Sequence, residues 1–306
     1  MEKTNKNANN NVHLFGFIND VRINPVKDGL MAINLDVVTS EMYRKDRSNP
    51  ESELQTKRSY HDVAIFTEDA KFIEKFQKIA ADLGENRQNR DVDGYKPKTH
   101  SVSLDGILVN KENTVKGTDA TYRTLQILAD AKNVSPDVKF EKGEVRNSAM
   151  LVGNIADIRM VEDRKLAVVT LIHHYRPKDS EKEFVTTVDV RVNGARKVGA
   201  EAYAAIQNGE IGKGDFIRTG GQLHNTRYDV QPGEGRENVA EGTRYGVSLD
   251  ATSFKVLSQK KDESQAEKAA EAPEVKEEKK EEKKAATKKA TSRKAAEGAK
   301  KAGIKM

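Results

Sequence analysis

Residues 12–22 read VHLFGFINDVR, and residues 149–159 read AMLVGNIADIR. The first of these segments alternates apolar and polar positions as a β-strand does, and the second is similar to it. Each also carries a glycine at its fifth position and an Asp-apolar-Arg triplet at its end. A similarity of this kind between two distant segments indicates that the chain contains two copies of one structural unit.

Further segments recur in the same order behind each copy of this first strand. They are residues 30–39 and 166–174, 60–66 and 187–193, 102–108 and 217–223, and 122–129 and 245–252. A helical pattern separates the third and fourth strands of each copy, with Thr67 and Asn193 as the predicted N-caps and Gly84 and Gly209 as the predicted ends. Each copy therefore has the order β-β-β-α-β-β.

Five short strands in this order, with one helix between the third and the fourth, are typical of the OB-fold, a small Greek-key barrel. We therefore predict an all-β protein with one helix per domain: two tandem five-stranded OB-fold barrels followed by a disordered, charged C-terminal tail. The predicted segments are a disordered N-terminus at residues 1–10, domain 1 at 11–134, a linker at 135–146, domain 2 at 147–258 and the tail at 259–306.

The charges separate the tail from the two predicted domains. The whole chain has 53 Lys and Arg against 48 Asp and Glu, a net charge of +5. Residues 258–306 contain 15 of the positive and 10 of the negative side chains, which accounts for the whole excess. Few residues of this segment are apolar, so burial cannot offset the entropy cost of ordering it. We expect it to be disordered when free.

Several classes of protein are excluded by what the sequence lacks. It contains no cysteine, which excludes disulfides, thiolate metal sites and a cysteine nucleophile. No stretch approaches the ~18 apolar residues of a membrane span, and the polar N-terminus has no apolar signal-peptide core. We therefore expect a soluble, cytoplasmic protein with no membrane partner.

The residues that suggest catalysis or metal binding form only weak patterns. His61 and Asp62 are a conceivable dyad, and His173 and His174 are conceivable metal ligands. Adjacent residues of a strand point to opposite faces, so the two histidines cannot easily hold one ion. The chain contains no P-loop, no G-x-S-x-G and no H-E-x-x-H motif. We expect no enzymatic activity, no cofactor and no metal.

The predicted binding site is the outer face of the second and third strands of the first barrel, with the loops beside it. Single-stranded nucleic acid needs aromatic rings for its bases and cations for its phosphates there. By strand position alone, Phe15 and Phe66 are core candidates, but rings and cations coincide where this fold binds. The predicted nucleic-acid-binding residues are Tyr43, Arg44, Lys45, Arg47, Lys57, Arg58, Tyr60, Phe66, Lys111, Lys116 and Tyr122 in the first domain, and Tyr175 and Arg176 in the second.

Several motifs of the first domain, taken in order, carry a family resemblance. Residues 12–18 fit V-x-L-x-G-x-I, residues 39–44 (TSEMYR) fit T-S-E-x-W-R, residues 60–66 (YHDVAIF) fit W-H-R-V-V-L-F, and residues 102–108 (VSLDGIL) are similar to V-Y-I-E-G-x-L. In these motifs the chain resembles the bacterial-type single-stranded DNA-binding proteins. The resemblance puts Tyr43 and Tyr60 at base-stacking tryptophans and Phe66 at a stacking phenylalanine.

This resemblance implies a function, a location and an assembly. It implies sequence-independent binding and protection of single-stranded DNA in replication, recombination or repair, by a nucleoid-associated protein. Members of the family work with four OB-folds, so a chain with two is expected to form a homodimer, with His61 near a subunit contact. Chromosomal, plasmid, viral and other mobile-element sources all fit the sequence.

The chain also departs from the family's pattern. Residues 113–115 lack the stacking tryptophan of the last hairpin, and residues 84–100 have no counterpart in the family. Thr187 and Asn193 replace Tyr60 and Phe66 in the second copy, so the first barrel is expected to dominate binding. The last residues, GIKM, are not an acidic tip with a terminal aromatic, so we do not expect replication or repair proteins to be recruited by that route.

Two alternatives to this function stay open. The chain could be a structural or interaction protein of tandem OB-folds in which only the basic tail contacts nucleic acid. RNA could also be the natural ligand, because stacking surfaces bind DNA and RNA alike. Both alternatives keep the same fold and differ in the ligand or in the segment that contacts it.

Overall fold

The computed structural model of the chain describes residues 10–45, 49–114, 121–139, 147–175, 183–230 and 242–259. The predicted disordered tail lies outside these residues from 260 onwards, as do residues 1–9 of the predicted N-terminal segment and 140–146 of the predicted linker. In the part of the chain that is described, neither helix is long and apolar enough to cross a membrane.

Two sets of five strands and one helix follow one another. The first set is β1 (Asn10–Lys27), β2 (Leu30–Arg44), β3 (Leu54–Thr67), α1 (Ala70–Gln88), β4 (Ser101–Thr114) and β5 (Thr121–Pro136). The second set is β6 (Asn147–Val161), β7 (Leu166–Tyr175), β8 (Phe184–Asn193), α2 (Lys197–Gln207), β9 (Phe216–Val230) and β10 (Gly242–Ser258), with a short 3-10 helix at Glu162–Arg164.

Each set closes into a barrel through its strand pairing. In the first, β1 pairs antiparallel with both β2 and β4, β2 with β3, and β4 with β5, while β3 and β5 run parallel. The ring order is therefore β1-β2-β3-β5-β4, and the second set repeats it as β6-β7-β8-β10-β9. Five strands in this order with a helix between the third and the fourth form an OB-fold. The predicted fold class is confirmed.

The glycine shared by the two repeated segments has a steric cause. A Cβ built on Gly16 would lie 2.6 Å from the carbonyl oxygen of Val38, and one built on Gly153 would meet the carbonyl oxygen of Ile172 even more closely. In both barrels the first strand therefore passes so close to the second that only glycine fits. The glycine is part of the sequence pattern because the barrel needs it.

The helices pack against the barrels, and Gly209, with a positive φ, follows the end of α2 as predicted, but the other three helix ends lie at other residues than predicted. Asp69, not Thr67, caps α1, accepting hydrogen bonds from the backbone N–H groups of Lys71 and Phe72. Helix α1 also continues past Gly84 to Gln88, and Arg196 precedes α2 without a side-chain cap. Each helix still turns its apolar face to the core, through Phe76, Ile79 and Leu83 in α1 and through Ala202, Tyr203 and Ile206 in α2.

The first residues of the two repeats pair with each other and join the barrels. Strands β1 and β6 run antiparallel from Asn10 opposite Leu151 to Leu14 opposite Asn147. Val12 and Ala149, the equivalent first residues of the two repeated segments, face each other at the centre of this ladder. The strand pairing therefore relates the two barrels as a local two-fold axis would.

Two buried asparagines flank this junction in equivalent ways. The side chain of Asn10 bonds both backbone groups of Leu108, its Nδ2 donating to the carbonyl at 2.8 Å and its Oδ1 accepting from the N–H at 2.9 Å. Asn147 does the same to Leu223, at 2.6 and 3.0 Å. Each asparagine bonds the N–H and the C=O of one strand residue, as a neighbouring strand would.

Candidate nucleic-acid interface

The outer face of β3 carries the two most exposed rings of the predicted site. Tyr60 and Phe66 are 46% and 47% exposed, whereas Val63 and Ile65 point inward and are fully buried. Because side chains alternate along a strand, residues 60, 62, 64 and 66 share one face, and Tyr60 and Phe66 lie about 20 Å apart along it. The structure thus settles Phe66 as a surface residue rather than a core residue, while Phe15 is buried.

Tyr43 does not join these two rings. The ladder of β2 and β3 runs without a register shift from Met31 opposite Thr67 to Arg44 opposite Leu54, which pairs Val38 with Tyr60 and Tyr43 with Gln55. Tyr43 therefore lies on the face opposite to that of Tyr60. Its ring is half-buried, and its hydroxyl donates a hydrogen bond to Oε1 of Gln55 at 2.9 Å.

Seven of the eight predicted cations fall into three groups, and the eighth is Lys111. Arg58 and Lys45 are exposed, and Arg58 shares the face of Tyr60. Arg44 and Lys57 are half-buried; Arg44 donates to the carbonyl of Ser52 at 2.9 Å, and Lys57 stands opposite Glu41. Three predicted site residues lie outside the described residues: Arg47, Lys116 and Arg176.

Between Tyr60 and Phe66 the face carries a pair of carboxylates. Asp62 of β3 stands directly opposite Asp36 of β2. Lys111, a predicted phosphate contact, is ion-paired with Asp62 at 3.0 Å, and Asn19 donates to Asp36 at 2.8 Å. Like charges opposite each other destabilise a sheet, and these two partners reduce that cost. Lys111 is therefore engaged within the protein.

Replacing Asp62 by Asn is expected to strengthen oligo-dT binding about two- to fivefold, the range for one exposed ion pair. The change removes a negative charge from the face and releases the ammonium of Lys111 for a phosphate, so the salt dependence should steepen by about 0.7. Fluorescence anisotropy over a range of salt concentrations measures both quantities.

The matched control for this variant is Asp189→Asn. Asp189 occupies the equivalent position on β8, where Thr170 donates to it at 2.8 Å and Thr187 and Asn193 stand at the ring positions. It should leave oligo-dT affinity nearly unchanged. Equal effects of the two substitutions would show that the charge of the face, not the Lys111 pair, governs binding.

The second barrel has an aromatic pair where its second and third strands end. Tyr175 stands opposite Phe184, and their ring centroids are 6.4 Å apart at 37°. Phe184 is 48% exposed and is not among the predicted residues. The sequence alone does not single out Phe184, because its position opposite Tyr175 is visible only from the pairing of β7 with β8. Tyr122, on β5 opposite Asn113, adds a further partly exposed ring to the first barrel.

The histidines are held by hydrogen bonds. His61 is 2% exposed and bonds Oγ1 of Thr39 at 2.9 Å; burial, together with the nearby His224, lowers its pKa to about 4. His173 is buried against the carbonyl of Val152, whereas His174 lies on the opposite face, as predicted. Among the described residues, no three His, Asp or Glu side chains are grouped as metal ligands.

Comparison with known proteins gives similar structures only. No family model and no curated protein sequence matches the chain. A deletion mutant of the single-stranded DNA binding protein from Thermus aquaticus is 17% identical to this chain, with a TM-score of 0.48, and the match covers 83% of this chain and 97% of that one. The wild type of the same protein is 16% identical, with a TM-score of 0.46, over 83% of this chain and 95% of that one. Single-stranded DNA binding protein of Plasmodium falciparum, in complex with single-stranded DNA, is 18% identical with a TM-score of 0.29, over 42% of this chain and 91% of that one.

Proposed function

We propose that the protein binds single-stranded DNA without reading its sequence and protects it in replication, recombination or repair, in the cytoplasm at the nucleoid. The observation that carries this proposal is the exposure of Tyr60 and Phe66 on the outer face of β3. A ring exposed on a rigid strand contributes little to the core but offers a flat surface to a base. Every base has such a surface, so stacking is tolerant of sequence.

The cations near these rings supply the second part of the affinity. Arg58 lies on the same face as Tyr60, and Lys45 is exposed at the end of β2. Each phosphate that such a side chain neutralises releases counterions, which adds to the affinity and makes it depend on salt. Stacking and counterion release together require no catalytic group, so the proposed activity is binding alone.

Fluorescence anisotropy with labelled oligo-dT, oligo-U and a duplex of equal length tests this function on the full chain. Tightest binding to oligo-dT supports the proposal. Binding to duplex that equals binding to oligo-dT would overturn it, because stacking rings cannot reach paired bases, and would favour contact through charge alone. Tighter binding of oligo-U would identify RNA as the ligand.

We also propose that two chains assemble into a homodimer with four OB-folds, as the motif resemblance implies. Light scattering at micromolar concentration should then give about twice the 34.0 kDa of one chain. His61, expected near a subunit contact, lies at the junction of the two barrels of one chain, beside His224. A mass of one chain would contradict the homodimer and show that the two joined barrels of one chain are the whole assembly.

A further inference from the structure

The backbone of Tyr60 needs a partner that its own barrel does not supply. Strand β2 pairs with β3 along its whole length, but on the other side of β3 the strand β5 begins to pair only at Val63. Among the described residues, no strand pairs with β3 on this side before Val63. Backbone N–H and C=O groups in a folded protein are almost always bonded, by another strand, by a side chain or by water.

A side chain of the second barrel fills this position. Oδ1 of Asn225, on β9, accepts a hydrogen bond from the N–H of Tyr60 at 2.6 Å, and Nδ2 of Asn225 donates to the carbonyl of Tyr60 at 3.0 Å. The amide of one side chain thus replaces the neighbouring strand. The N–H and the C=O of Tyr60 are thus both bonded to Asn225, on the side away from β2, while its ring stays on the outer face.

Residues next to Tyr60 and Asn225 extend the contact between the two barrels. Oγ of Ser59 lies 3.1 Å from Nδ1 of His224, and both side chains are at most 5% exposed. His61, on the other side of Tyr60, bonds Thr39 within the first barrel. The segment from Ser59 to His61 is therefore fixed at each of its three residues.

The local two-fold relation of the barrels provides an internal comparison. Asn110 follows Gly106 at the distance at which Asn225 follows Gly221, so the two asparagines are equivalent. Asn110, however, makes one longer bond, 3.3 Å from its Nδ2 to the carbonyl of Val185. The strand that it touches, β8, carries Thr187 at the position of Tyr60. The two-bond contact occurs on the side where the exposed ring is.

We propose that Asn225 is a positioning residue for Tyr60, through which the second barrel holds the stacking strand of the first in its binding position. The inference rests on the proposed function. A strand bonded on both edges presents its ring without an ordering cost at the moment of binding. The second barrel thereby contributes to affinity for single strands even where its own surface lacks a stacking ring.

The test compares Asn225→Ala with the matched control Asn110→Ala. We expect Asn225→Ala to weaken oligo-dT binding about five- to tenfold and Asn110→Ala to change it less than about twofold, as for one preorganised side chain. In the background of Tyr60→Ala, the substitution at Asn225 should have no further effect. Hydrogen exchange at the amide of residue 60 should accelerate in Asn225→Ala and stay slow in Asn110→Ala.

A merely structural role gives a different result. It would weaken binding equally with and without the Tyr60 ring, and that outcome, or wild-type affinity of Asn225→Ala, would overturn the inference. If Asn225→Ala does not fold, Asn225→Asp gives the same comparison, because it keeps the acceptor for the N–H but turns an oxygen towards the carbonyl of Tyr60. Failure of the wild-type chain to bind oligo-dT would instead refute the proposed function together with the inference.

Discussion

Replacing both Tyr60 and Phe66 by alanine is expected to weaken oligo-dT binding at least about thirtyfold. Stacking on an aromatic side chain is worth about 1–3 kcal/mol per base, so two rings account for at least about 2 kcal/mol. Both rings are about half exposed, so their removal leaves no buried cavity and should change the melting temperature little. Anisotropy titrations and a thermal melt of the same variant measure the two effects separately.

Substitutions on the other ring sites serve as controls. Tyr43→Ala removes a ring from the opposite face of the same hairpin and should cost less than either change on the outer face. Tyr175→Ala with Phe184→Ala removes the aromatic pair of the second barrel, which the sequence predicts to be the weaker site. A loss from the second-barrel rings as large as from Tyr60 and Phe66 would contradict the predicted dominance of the first barrel.

The fold could be predicted from the sequence because the steric requirement is visible in it. Gly16 and Gly153 mark the same close approach of strands in two copies, and the alternating apolar positions around them give the strands. The sequence predicts the helix ends less well: Gly84, the predicted end of α1, lies inside the helix, whereas Gly209 follows the end of α2 as predicted. A glycine weakens a helix but does not end it when flanking side chains such as Leu83 pack into the core.

The sequence predicts the candidate site residues but not how they are arranged, for reasons of geometry. A motif gives a position in the chain, and on that basis Tyr60 and Phe66 are predicted site residues. It does not give the face of the strand, which depends on the uninterrupted ladder that pairs Tyr43 with Gln55. Contacts between the barrels, such as Asn225 with Tyr60, join residues that are 165 positions apart. No local pattern signals them.

His61 is expected to make the protein less stable in acid. Its pKa in the folded chain is about 4, below the ordinary 6.5, first because it is buried and then because His224 is near. In the unfolded chain His61 therefore binds a proton below about pH 6.5, whereas in the folded chain it binds one only when the pH falls to about 4. Stability from this source is intact above pH 6.5 and is lost progressively as the pH falls towards 4. The full loss is about 3 kcal/mol.

Urea unfolding of the wild type and of His61→Gln across this range measures the effect. Glutamine can keep a hydrogen bond to Thr39 but does not titrate, so the stability of the wild type relative to the variant should fall by about 3 kcal/mol between about pH 7 and pH 4.

The groups around His61 decide how the result is interpreted. His224 also has a pKa lowered by burial and stands near Glu41, Lys57, Asp250 and Arg191, so it adds its own pH dependence to both proteins. The difference between the wild type and His61→Gln therefore measures His61 together with its interaction with His224. His174→Gln, which removes an exposed histidine far from this junction in the sequence, is the substitution control. Parallel pH profiles of the free energy of unfolding for the wild type and His61→Gln would mean that protonation of His61 does not destabilise the folded chain. A diverging profile would show that acid weakens the segment that holds Tyr60.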